Sequence, residues 1–106
     1  MLRIVPIALS VLLVSEFAVA AQIKMTCRNH RGPYEAVFDT KAKTFRLGRG
    51  GRFTRYRVRR VQKHPNGYVV SGKTVKRGPN FIAYLGRNRR IEFMDNAKVF
   101  QIDKCK

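Results

Sequence analysis

Few residues in this 106-residue chain could do chemistry. Its two histidines are His30 and His64, and Ser71 is its only serine after residue 20. A hydrolytic nucleophile would need Ser71 beside a histidine and a carboxylate, and nothing in the linear order brings them together. Both histidines fall in turn-forming stretches, Asn29 to Pro33 and His64 to Gly67, and read as solvated turn residues. The carboxylates form no acid–base pair. Glu92 reads as the outward residue of a strand, while Asp39, Asp95 and Asp103 fall at turns or strand ends, where aspartate serves local hydrogen bonds and ion pairs. A metal site would need His30, His64, Cys27 and Cys105 all to converge. The expectation is a protein that is not an enzyme, with no catalytic residue, no metal and no cofactor.

Cationic chemistry is abundant instead. The chain has 23 Lys and Arg against 6 Asp and Glu, a net charge of +17. Three groups stand out: Arg49, Arg52, Arg55, Arg57, Arg59 and Arg60; then Lys73, Lys76 and Arg77; then Arg87, Arg89 and Arg90. A guanidinium is a planar fork that pairs bidentately with phosphate or carboxylate. All three groups carry one sign with almost no acid between them, which predicts a surface for a polyanion. Arg49-Gly50-Gly51-Arg52-Phe53 resembles an RGG-type element, though glycine in a hairpin loop explains it equally well. Tyr56, Tyr68, Phe81 and Tyr84 could stack on sugars or bases and read first as core or wall residues.

The elements that must carry these groups are strands. Arg55, Arg57 and Arg59 alternate with Tyr56 and Val58, the period of a strand with one wet face and one dry face. Arg60 and Val61 break that parity, which predicts a β-bulge near Arg59–Arg60. Further strands are expected around Ile23–Cys27, Tyr34–Phe38, Phe45–Leu47, Tyr68–Thr74, Phe81–Leu85, Ile91–Met94 and Val99–Cys105. Asn66-Gly67 signals a hairpin. Phe81-Ile-Ala-Tyr-Leu85 is apolar throughout, so its inward face is not readable. In the last strand Phe100 and Ile102 are expected inward. That gives Cys105 outward parity against inward Cys27, unless the strand stops short of Cys105.

The N-terminus reads as a secretory leader: Arg3, an apolar run over 4–14, and Ala18-Val19-Ala20 as a small-x-small cleavage site. Residues 1–20 are expected to be removed, leaving 21–106 as a single domain with no transmembrane segment and a net charge still of +17, since Arg3 and Glu16 go together. Cys27 and Cys105 then form an even pair in an exported small domain, hence a disulfide joining the first strand to the last. Eight short strands and no helical period predict an all-β fold: a small antiparallel up-and-down barrel, with an open β-sandwich as the alternative. A secreted or periplasmic location sets the partner: an anionic envelope polymer or lipid head group, with no specific nucleic acid expected.

The layout of leader, first-strand Cys27, β-meander and terminal Gln101-Ile102-Asp103-Lys104-Cys105 resembles the small periplasmic inhibitors of c-type lysozyme. In that family a Ser-Gly loop and a downstream Lys-Gly enter the lysozyme cleft. Ser71-Gly72 and Lys76-Arg77-Gly78 are the counterparts here. The resemblance implies a second function, inhibition of a secreted hydrolase, with Ser71, Lys76 and Arg77 as contact residues.

Overall fold

The computed structural model describes residues 22–106, so the leader expected over residues 1–20 lies outside the described residues. Eight strands run in order: β1 (Gln22–Asn29), β2 (Gly32–Asp39), β3 (Thr44–Arg49), β4 (Arg52–His64), β5 (Gly67–Lys73), β6 (Asn80–Tyr84), β7 (Arg90–Asp95) and β8 (Lys98–Cys105). Each pairs antiparallel with the next and β8 returns to β1, closing the barrel. An up-and-down order places the β1–β2, β3–β4, β5–β6 and β7–β8 connections at one end, called here the mouth, and the other three connections at the opposite end.

Alternation fills the interior. Met25 and Cys27, Ala36 and Phe38, Phe45 and Leu47, Phe81 and Ala83, and Ile91 and Phe93 are all buried at every second position of their strands. Phe45 stacks on Phe81 at 5.2 Å, and Tyr56 tilts against Phe81 at the same centroid distance. The strand whose sequence was apolar throughout resolves cleanly: Phe81 and Ala83 face in, while Ile82 and Tyr84 face out.

The bulge in β4 is present. Val58 pairs with Gly72 and Arg60 with Ser71, leaving Arg59 as the extra residue. Parity inverts there, so Arg60 joins the wet face and Val61 meets buried Val70. Gly72 makes this possible. A Cβ on it would lie 1.7 Å from the Arg57 carbonyl oxygen, so only glycine admits the bulged strand at that distance. The β4–β5 hairpin has Pro65 and Asn66 between the His64–Gly67 pair, and Gly67 adopts φ +126° just beyond. Proline favours the first central position of such a turn.

The last strand corrects the sequence reading. Phe93 pairs with Gln101 and Met94 with Val99, so Phe100 is an extra residue opposite that step. Phe100 and Ile102 are therefore exposed, 58% and 53%, and the inward residues are Gln101, Asp103 and Cys105. Asp103 is not a strand-end or ion-pair residue. It is 2% exposed within β8, where its carboxylate accepts hydrogen bonds from the Tyr34 hydroxyl and the Gln101 side-chain amide. With that parity the strand runs on through Cys105. Cys27 and Cys105 stand directly opposite each other and form the disulfide. The β1–β8 seam is short: Cys27–Cys105 and Arg28–Lys104 are its register pairs, with Thr26 and Lys106 exchanging backbone hydrogen bonds beyond them.

Candidate functional site

The barrel divides the basic residues among three places. On the outer wall, one ladder row crosses four strands as Lys24, Val37, Arg46 and Arg55. Val37 points outward between Lys24 and Arg46 and is still only 4% exposed. Such burial is expected where long basic side chains lay their aliphatic stems over an apolar neighbour. Two residues further along β4, Arg57 stands opposite Lys73 of β5, and the bulge adds Arg59 and Arg60. Arg55, Arg57, Arg59 and Arg60 are all exposed. Phe53, 46% exposed, extends the same face: it lies where a Cβ on Gly48 would be, and the Arg46 guanidinium sits 5.1 Å over its ring.

Like charges directly across a ladder destabilise a sheet. Arg46–Arg55 and Arg57–Lys73 are two such pairs on adjoining strands. Among the described residues the single ion pair is Arg90–Glu92 at 3.0 Å, so none of the cations of this wall is ion-paired, although exposed Glu35 stands on the outward parity of neighbouring β2, opposite Gly48. The coat reaches further round: Arg28 faces Lys104 across the seam, and Lys104 faces Arg90. The β3–β5 stretch is where the cations stand most densely with no acid among them.

At the mouth, Arg49 and Arg52 pair across the ends of β3 and β4, on the inward parity rather than the outer wall. They line an open cavity of about 630 Å³ together with Arg31, Tyr34 and Phe100. Arg49 is engaged structurally. It donates to the Pro33 and Gly32 carbonyls at 3.1 and 3.0 Å and to Asn29 Oδ1 at 2.9 Å, clamping the β1–β2 turn. Lys76 and Arg77 are exposed in the β5–β6 connection at this same end.

The third group lies at the far end and is also partly engaged. Arg90 donates to Glu92 and to the Asn88 carbonyl while its guanidinium stacks 3.8 Å over Tyr84. Arg89 donates to the Gly86 carbonyl. Arg87 is exposed beside His64 and Tyr84. The expected three groups thus do not converge: Arg55, Arg57, Arg59 and Arg60 share the wall, Arg49, Arg52, Lys76 and Arg77 the mouth, and Arg87, Arg89 and Arg90 the far end. Arg46 was missed by the sequence grouping, although its alternation with Phe45 and Leu47 already marked it as outward.

Of the other candidates, His30 lies in the β1–β2 turn at the mouth and His64 at the far end of β4, so the barrel separates them. Ser71 sits within β5 between Arg60 and Ile82, and Lys76 and Arg77 lie in the connection that follows this strand. Among the described residues no three His, Cys, Asp or Glu side chains cluster as metal ligands. Compared with family models, curated proteins and solved structures, the chain matches none.

Proposed function

We propose that this protein is a non-catalytic secreted or periplasmic binder of polyanions, and that the outer wall of β3–β5 carries the binding. One observation supports this above the rest: Arg46 opposes Arg55 and Arg57 opposes Lys73, and none of the four is ion-paired. A sheet that retains two such pairs carries a standing repulsion, which an anion laid across the wall would relieve. Cations two residues apart on a strand are spaced about 6.6 Å, which suits a polymer of regularly repeated anionic groups. Exposed Phe53 beside Arg46 adds an aromatic face for a sugar ring. The disulfide between β1 and β8 suits an oxidising compartment, where phosphorylated lipids, acidic polysaccharides and cell-wall polymers are the available polyanions.

Retention on immobilised heparin against a salt gradient tests the reading. Retention should fall steeply with salt, as counterion release requires. Replacing Arg46, Arg55 and Arg57 by glutamate should elute the protein far earlier than the same change at Lys98, Lys104 and Lys106. Equal shifts for the two sets would mean a diffuse charge effect and no site.

A further inference from the structure

The mouth of the barrel combines two things the outer wall does not. Val75 and Phe100 are large apolar residues exposed by 52% and 58%, and both border the cavity that Arg31, Arg49 and Arg52 line. Neither projection is a loose tip. Phe100 is the extra residue of β8, and a bulge re-aims the side chain it carries. Val75 begins a connection held by its own hydrogen bonds: Thr74 donates its backbone N–H and its hydroxyl to the Pro79 carbonyl, and Gly78 N–H donates to the Val75 carbonyl at 3.1 Å. Val99, beside Phe100, is 45% exposed.

The charge around these tips is predominantly positive. Arg31, Arg52, Lys76, Arg77 and Lys98 lie exposed on the four connections of this end or beside them. Two carboxylates face them. Asp103 is buried and engaged by Tyr34 and Gln101, and Asp95 sits opposite Lys98 at the β7–β8 turn. Apolar projections ringed by cations match the interface of an anionic bilayer, where side chains such as Phe and Val enter the headgroup boundary while Lys and Arg meet the phosphates. A second copy of the chain would bring two arginine rims together, and a hydrated polymer offers no apolar phase for Phe100.

We propose that the mouth is a docking surface for an anionic lipid bilayer, with Phe100 and Val75 inserted and Arg31, Arg52, Lys76 and Arg77 against the lipid phosphates. This surface uses residues separate from the β3–β5 wall and does not depend on the wall binding a polymer.

The chain contains no tryptophan, so Phe100→Trp supplies a single reporter. Its emission should shift to the blue with vesicles of mixed phosphatidylglycerol and phosphatidylcholine, and stay unchanged with pure phosphatidylcholine vesicles or with heparin. Absence of a shift with the anionic vesicles, or the same shift with heparin, overturns the proposal. Sedimentation with the same vesicles gives a second reading at constant charge. The pair Val75→Ser and Phe100→Ser should weaken partitioning by roughly tenfold or more, with heparin retention unchanged. Ile102→Ser, equally exposed but outside the mouth, should leave partitioning as it was. If Ile102→Ser costs as much as the mouth pair, the mouth is not the docking surface. Failure of the wall reading would show itself separately, as equal heparin shifts for the wall and control charge reversals with these vesicle results intact.

Discussion

The Tyr34 hydroxyl donates a 2.5 Å hydrogen bond to Asp103, tying β2 to β8 across residues 69 positions apart in the chain. Burial first, and then the bonded carboxylate, push the Tyr34 hydroxyl well above the ordinary tyrosine range. Burial and the same Asp103 also raise Tyr56. The unfolded chain releases phenolic protons near pH 10, while the folded protein holds these two longer. Above that pH the native state therefore binds more protons than the unfolded one, and stability falls as pH rises; below it the contribution is fully present.

Urea unfolding across that range is expected to show the decline, and Tyr34→Phe to flatten it. At neutral pH the same substitution leaves Asp103 with one side-chain donor and is expected to cost about 1–3 kcal/mol. A wild-type profile that stays level above pH 10 would count against this account of the pair.

Removing the disulfide should cost far more. Its cysteines are 78 positions apart, and closing so long a loop stabilises by about 4–5 kcal/mol in the chain-entropy model. The loss should be uneven, because the β1–β8 seam has two register pairs where β1–β2 has eight. Amide exchange in the Cys27→Ser, Cys105→Ser double variant is expected to rise first at Thr26 and Lys106. Uniform loss of protection around the barrel would contradict it.

Arg55→Glu is expected to move stability and binding in opposite directions. A glutamate opposite Arg46 replaces repulsion with attraction, worth about 0.2–1 kcal/mol of added stability, while salt-dependent retention on heparin weakens. Thermal unfolding measured beside the column assay separates the two effects. A variant both less stable and less retained would make Arg55 a structural residue.

The β7–β8 turn carries a correctable fault. Asn96 and Ala97 sit between the Asp95–Lys98 pair with φ +49° and +66°. A two-residue hairpin with both central residues at positive φ favours Asn-Gly, and alanine there bears a steric penalty of about 1 kcal/mol. Ala97→Gly should raise stability by about that amount with heparin retention unaltered. Destabilisation on denaturant titration would refute it.

How far the sequence could be read turns on register. The β4 bulge was legible because Arg60 and Val61 violated a clear alternation. The β8 bulge was not, because Phe100 and Ile102 are apolar and share a parity, so they imitate an inward face. The contrary signal was already present: Cys27 inward and Cys105 outward cannot bond side by side. Holding the disulfide fixed and inverting the strand would have placed Asp103 inside. The opposed cations, Arg46 with Arg55 and Arg57 with Lys73, could not be read without knowing which residues stand across from each other. The clamp by Arg49 on Asn29, Gly32 and Pro33 joins two turns that no local pattern relates.

That clamp makes the rim lopsided. The tips of the first two hairpins are latched into one unit, whereas the segment from Val75 to Pro79 is braced chiefly by hydrogen bonds within itself and with Thr74. One flank of the opening is therefore tied turn to turn and the other only to itself, and backbone amide exchange is expected to run faster at Lys76 and Arg77 than at Gly32.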